Sequence, residues 1–305
     1  MPIGLATSFH RAAAAPPDAL IDGLLRAGAG AVLLDETLAP AYLAELLPRL
    51  LRRRAELPVW AVENVCPTSR RAGADLCGLD RDEAAAAVEA ATATIRLAGD
   101  SEGGAVVLLR LGEVAALRGE WPAARRAFLR DELAGSPQAE ALRQRRQQQV
   151  GRHLDAALRS LERLGRVAEA CGVRLGLRNP GRLIGLPSPA ELTRLLGELD
   201  GAPLAPALDL PAAHLGDAMG MWPLAGTLSS WRTAELVLAA DACAAVSGLP
   251  PGRGELDVGA ALATLGDGAR VCFPPRSDSS VAELQEGVAA LARIAAARPA
   301  PPRAP

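Results

Sequence analysis

Eight short, mostly apolar runs recur along the chain, each followed by longer sequence of helical character, and this alternation constrains the fold more than any other feature. The runs are residues 2–6, 31–34, 58–62, 105–109, 173–177, 204–208, 235–239 and 269–273. Four or five such residues suit a strand covered on both faces, as in a parallel sheet flanked by helices. Residues 17–27 and 40–54 read as helices that open on proline. Asp80 and Glu83 are spaced as a capping box for a helix reaching about residue 98. An Arg/Gln/Ala-rich stretch, 121–149, leads into a helix that ends near Cys171. Ser188, Pro189 and Glu191 supply an N-cap, an N1 proline and an N3 glutamate for a helix to about residue 199. The stretch after 208 is irregular or helical through Trp231, Asp257 caps a short helix, and Ser280 with Glu283 caps the last one, ending near Ala297.

Eight strand–helix units in 305 residues predict a single (β/α)8 barrel over residues 1–297, with a disordered Pro/Ala-rich tail at 298–305. A doubly wound open sheet is the alternative. Its dinucleotide-binding version needs Gly-x-Gly-x-x-Gly after the first strand, and none is there. Gly28-Ala29-Gly30 precedes a strand and reads as a helix stop.

Composition removes several chemistries. All 33 basic residues are arginine. Schiff-base catalysis and pyridoxal phosphate anchoring need a lysine amine, and so does a P-loop. Three histidines, His10, His153 and His214, are too few for a histidine-rich metal cluster. The five cysteines, Cys66, Cys77, Cys171, Cys243 and Cys272, include no Cys-x-x-Cys pair, so neither a zinc knuckle nor a disulfide framework is indicated. A net charge of −2 offers no basic surface to nucleic acid. No apolar run reaches the roughly 18 residues of a membrane span, and no charged-then-apolar leader opens the sequence. The expectation is a soluble cytoplasmic protein without nucleic-acid or membrane partners.

Barrel chemistry sits at the C-terminal strand ends. Those positions hold Phe9 and His10, Asp35 and Glu36, Glu63 and Asn64, Arg110 and Glu113, Arg178 and Asn179, Asp209, Asp241 with Cys243, and residues 273–276; His214 follows further on. Asp209, Glu63 and Glu113 are the candidates for proton transfer. Arg178, Arg110, Asn179, His214, His10 and Asp241 are the candidate ligand contacts. Each also has a structural reading: Arg178 as an internal salt bridge, Glu63 and Glu113 as its partners or those of Arg110, His214 as a helix-start residue. Gly252, Gly254 and Asp257 read as turn and cap residues. His153 and the run RQRRQQQ at 143–149 read as solvated helix surface. Nothing at recognisable spacing activates Cys66, Cys243 or Cys272 as a thiolate.

Several segments resemble the xylose isomerase-like TIM barrels, the sugar phosphate isomerase/epimerase family. They are PIGLATS at the first strand, DLCGLDRDEAAAAVEAATATIRLAG at the third helix, LDAALRSLERLGRVAEACGVRLGLRN leading to the fifth strand, and LPSPAEL, ALDLPAAH and PPGRGELD around the sixth and seventh. The resemblance implies a divalent metal held by Glu, Asp, His and Glu after strands 5 to 8, polarising an oxygen while the glutamates move a proton. In this chain those positions are Arg178, Asp209, Leu238 and Phe273, or Pro274 one residue on. Asp209 is the one ligand position retained, so no metal cofactor is expected. A guanidinium has five donors and no acceptor, and it supplies the positive charge that buried carboxylates lack without a metal. Arg178 is therefore expected to pair with Asp209.

Two functions follow. One is a diverged barrel without metal-dependent catalysis that binds a small polyol or sugar-phosphate-like anion, or a partner protein or second copy. The other is a sugar isomerase or epimerase with a rearranged, metal-free site, a divalent metal being implied only there. The related endonuclease activity needs more histidines than this chain has.

Overall fold

The computed structural model describes residues 1–12, 15–64, 75–101, 104–243, 246–266 and 268–297, with the side chains of 10–12 excepted. Eight parallel strands close into a barrel. They are β1 (Gly4–Ala6), β2 (Ala31–Leu34), β3 (Val59–Glu63), β4 (Val106–Leu109), β5 (Arg174–Arg178), β6 (Leu204–Asp209), β7 (Leu236–Leu238) and β8 (Arg270–Phe273). β1 closes the ring, with Ala6 opposite Leu33 of β2 and Gly4 opposite Cys272 of β8. Each apolar run of the sequence holds one strand. The Pro/Ala-rich tail and Cys66 lie outside the described residues.

Alternation along the strands explains why the runs read as unbroken. Leu5, Val32, Val62, Leu109, Leu177, Leu208 and Val271 face outward and join the helices in the main core. Ala6, Leu33, Ala61, Leu108, Ala207, Leu236, Leu238 and Cys272 face inward and form a separate core inside the ring. Eight strands leave a narrow interior. At Gly176 a Cβ would come within 2.9 Å of both Ala207 and Val106, so β5 passes this level only as glycine. Trp60, the extra residue where the β2–β3 register shifts, packs under the inner core at the N-terminal end. The Arg270 guanidinium covers its ring at 5.9 Å.

The helices are α1 (Pro17–Arg26), α2 (Pro40–Arg52), α3 (Arg81–Asp100), α4 (Trp121–Leu129), α5 (Pro137–Ala170), α6 (Pro189–Glu198), α7 (Leu210–Ala218), α8 (Leu224–Ser230), α9 (Val258–Ala263) and α10 (Val281–Ala297). α1 stops at Gly28, whose φ of 82° suits glycine. The capping box at Ser188 and Glu191 is formed, and Asp257 caps α9. Two short ribbons, Gly112–Glu113 with Gly185–Leu186 and Asp241–Cys243 with Val246–Leu249, sit beyond the strand ends. Among the described residues no helix is long and apolar enough to cross a membrane.

The long helix α5 overturns two surface readings. Arg146, inside the RQRRQQQ run, is buried. Its guanidinium donates to both Glu191 oxygens at 2.7 and 2.8 Å and to the Gly185 carbonyl at 2.7 Å. Trp222 lies 5.4 Å away. His153 is also buried, with Nδ1 2.9 Å from the Cys77 carbonyl oxygen. Both residues fall on the α5 face that carries Val150, Leu154, Ala157 and Leu161 into the core. A polar residue on a buried helical face reads as surface until its partner, here 45 or 76 residues distant in the chain, is known.

Arg146→Ala leaves Glu191 buried without its counter-charge. Removing one member of such a pair costs about 3–5 kcal/mol. Urea unfolding should show that loss at an unchanged m-value, and a loss below about 1 kcal/mol would contradict a buried pair.

Candidate functional site at the barrel mouth

The two-residue alternation that builds the inner core carries it into a ring of polar side chains. Beyond Leu33 comes Asp35, beyond Ala61 Glu63, beyond Leu108 Arg110, beyond Gly176 Arg178, and beyond Ala207 Asp209. Asp35, Glu63, Arg110 and Arg178 line a cleft of about 640 Å³ at the C-terminal face. Ser8, Leu238, Ser247, Gly248 and the segment 274–278 complete its wall.

Arg178 joins two carboxylates. Nε donates to Asp209 Oδ2 at 2.8 Å, Nη2 donates to the same oxygen, and Nη1 donates to Glu63 Oε1 at 2.5 Å. Asp209 and Glu63 side chains are each 6% exposed and Arg178 19%, so water screens these contacts poorly. Asp209 Oδ1 accepts from the Ala212 amide at 2.9 Å and caps α7. Asn179 clamps the Asp209 main chain, accepting from its N–H at 2.7 Å and donating to its carbonyl at 3.0 Å. The Trp231 indole donates to the Leu177 carbonyl at 3.1 Å, which fixes the residue before Arg178. Arg110 extends the chain of charges, with Nη2 2.5 Å from Glu63 Oε1 and 3.1 Å from Glu36. The order is Asp209, Arg178, Glu63, Arg110, Glu36, alternating in sign.

Two carboxyls in this cleft titrate in opposite senses. Burial opposes charge on Glu63, but Arg110 and Arg178 together outweigh it and hold the group at about 2. Burial, then the charge of Glu63, pushes Asp35 up to about 6, against the bond that its Oδ1 accepts from the Thr37 amide at 2.8 Å. Asp35 lies close enough to Glu63 for that charge to act on it. Between pH values of about 2 and 6, Asp35 is protonated while Glu63 is ionised.

The residues at the four implied metal positions do not suit a divalent ion. Phe273 packs outward against Gly287 of α10, so the mouth position of β8 is Pro274, not Phe273. Arg178, Leu238 and Pro274 then offer a guanidinium, an isobutyl group and a pyrrolidine ring, with no side-chain lone pair among them. The remaining ligand position, Asp209, is committed to Arg178 and Ala212. Among the described residues no group of three or more His, Cys, Asp or Glu side chains is placed to hold a metal.

Several candidates from the sequence do not line the cleft. Asn179 is spent on the Asp209 main chain. Glu113 sits in a ribbon and accepts from Arg182 at 2.5 Å. His214 is on α7, 3.9 Å from Glu255. Asp241 is buried and its carboxylate accepts from the amides of Ala242, Gly252, Gly254 and Leu256 at 2.8–2.9 Å, so it shapes the loop after β7. The His10 side chain lies outside the described residues. Burial pushes the Cys272 thiol, inside the barrel, up to about 12, which keeps it from acting as a thiolate near neutral pH. Conversely, Asp35 and Glu36 are strand-end residues to which the sequence alone assigns no part in the site. The two-residue offset of Asp35 from Leu33 is legible in the sequence; the proximity of Asp35 to Glu63 and the pairing of Glu36 with Arg110 across strands are not.

No family model and no curated protein matches the sequence. Solved structures do match in fold. A D-tagatose 3-epimerase-like protein superposes with a TM-score of 0.70 at 16% identity, over 97% of each chain. A D-psicose 3-epimerase from Clostridium cellulolyticum H10, bound to D-tagatose, gives 0.66 at 15% identity, over 97% of this chain and 99% of that one. A Thermus thermophilus protein from crystals soaked in zinc chloride gives 0.59 at 21% identity, over 97% of each chain. The (β/α)8 barrel of these structures is the fold of this chain.

Asp35 sets a pH dependence with a defined sign. Its folded-state value, about 6, lies above the ordinary 3.8, so its contribution to stability is complete below pH 4 and is lost as pH rises through 6. The gap corresponds to about 3 kcal/mol. Asp35→Asn should match the parent below pH 4 and exceed it by up to about 3 kcal/mol at pH 8 in urea unfolding. Equal stability at both pH values would contradict the buried Asp35–Glu63 contact. Glu63 acts in the other direction: its contribution is present above 4.5 and lost as pH falls through about 2.

Proposed function

We propose that the barrel mouth binds a small neutral polyol or ketose without a divalent metal, as a diverged relative of sugar isomerases and epimerases. The observation that carries this reading is the bonding of Arg178 to both Asp209 and Glu63. A cation placed there would meet a guanidinium and would have to separate two short ion pairs. The same pairing selects between the two ligand classes. Each arginine lining the cleft already has a carboxylate: Arg178 as above, Arg110 with Glu63 and Glu36, and Arg276 with Asp278. An anion would have to displace one of them. A polyol instead offers hydroxyls that both donate and accept, which suits a cleft of alternating charge with Ser8 and Ser247 on its rim. The shared fold with proteins described as sugar 3-epimerases supports the carbohydrate class.

A second reading, metal-free isomerase or epimerase action, is favoured by Asp35. It is a carboxyl in the cleft wall, beside ionised Glu63, that exchanges its proton at a pH of about 6. In that reading Asp35 and Glu63 move a proton at the carbon beside a ketose carbonyl, and the nearby guanidiniums stabilise the enediolate oxygen.

Calorimetric titration tests the metal-free binding that both readings share. D-tagatose and D-psicose should bind saturably, with affinity unchanged by chelator, and their phosphate esters should bind no tighter. Binding that appears only on adding manganese, or strong preference for the phosphate esters, would overturn the metal-free polyol reading. The catalytic version further requires solvent deuterium to enter bound ketose and Asp35→Asn to stop it. Binding without exchange leaves a binding protein.

A further inference from the structure

A second pocket lies outside the barrel, between α4 and α7, with a volume of about 250 Å³. Trp121, Arg125 and Phe128 line it from α4, spaced four and three residues apart and so on one helical face. Leu215 faces them from α7, and the buried Met219, which caps that helix at its C-terminus, completes the lining. None of these side chains lines the mouth cleft. α4 anchors itself through the buried Ala124 and Ala127, while Trp121 and Phe128 stay half-buried. Trp, Phe and Tyr make up only 3% of this chain, so two of them walling one open pocket, with nothing among the described residues filling it, set this surface apart.

The rim is cationic. Arg125 is exposed and has no ion-pair partner among the described residues. Arg182 also lines the pocket and is bonded to Glu113 through Nη1 alone. The walls therefore suit an aromatic ring packed against Trp121, Phe128 and Leu215. The rim suits a carboxylate taken by a guanidinium. The volume lies just under the roughly 300 Å³ at which pockets for drug-sized ligands begin, which limits the occupant to about one ring system.

We propose that the α4–α7 pocket is a second binding site, for a small aromatic carboxylate. A neutral ring would leave the cationic rim unused, and a sugar phosphate would leave the aromatic walls unused. The site is independent of the polyol reading, since the two pockets share no lining residue.

Phenylacetate is the probe, titrated by calorimetry into the full chain. It should bind saturably, and the uncharged amide phenylacetamide should bind about tenfold more weakly, the usual scale of a lost charge-assisted bond. Arg125→Ala should weaken phenylacetate by about the same factor, and Phe128→Ala should weaken both probes. Arg125 is exposed, so its variant keeps the test open even if Phe128→Ala unfolds. Absence of saturable binding by the parent chain would overturn the proposal. So would equal affinity for acid and amide, or full affinity in both variants. A chain that dimerises through this face, with Trp121 shielded and phenylacetate excluded, would assign the pocket to a second copy instead.

Discussion

The guanidinium of Arg178 sits between two nearly buried carboxylates, Asp209 and Glu63, and the rest of the barrel mouth is arranged around that contact. Either carboxylate alone in this position would cost several kcal/mol or take up a proton. One arginine at the end of β5 resolves both, and it does so by geometry as well as charge. Nε and Nη2 meet Asp209 on one strand while Nη1 reaches Glu63 on another. Asp209 can then spend its second oxygen on the first turn of α7. Glu63 can hold Arg110, and through it Glu36. A local electrostatic requirement thus ties the ends of β2 through β6 together.

The contact also explains the opposite titration of two neighbouring carboxyls. Glu63 has cations on one side, so it stays ionised to about 2; Asp35 has Glu63 for a neighbour, so burial and that charge carry it to about 6. The mouth consequently offers paired charges and one exchangeable proton, with no bare cation and no cluster of free carboxylates among the described residues. That is a different chemical surface from the four-ligand metal centre implied by the sequence resemblance, built on the same strand ends.

The barrel was legible because its signal is local. Each strand is a short run apolar on both faces, and the caps at Ser188, Asp257 and Ser280 mark helix starts by residue type. Arg178 was legible too, since a charge ending an apolar strand must find a counter-charge, and Asp209 ends the next one. What the sequence hid is non-local. His153 and Arg146 look like surface because their partners, Cys77 and Glu191, are distant in the chain. Asp241 looks like a cleft residue until four backbone amides are found around it. The choice between Phe273 and Pro274 turns on one residue of strand phase, which only Gly287 behind Phe273 resolves.

At the barrel mouth Arg178 takes the electrostatic place that a divalent cation would hold between Asp209 and Glu63. Crystals grown in excess manganese, measured at a wavelength where that metal scatters anomalously, test it directly. Arg178 should remain bonded to Asp209 and Glu63, with no anomalous peak between them. Manganese coordinated by those two carboxylates, with the guanidinium swung out into the cleft, would contradict it.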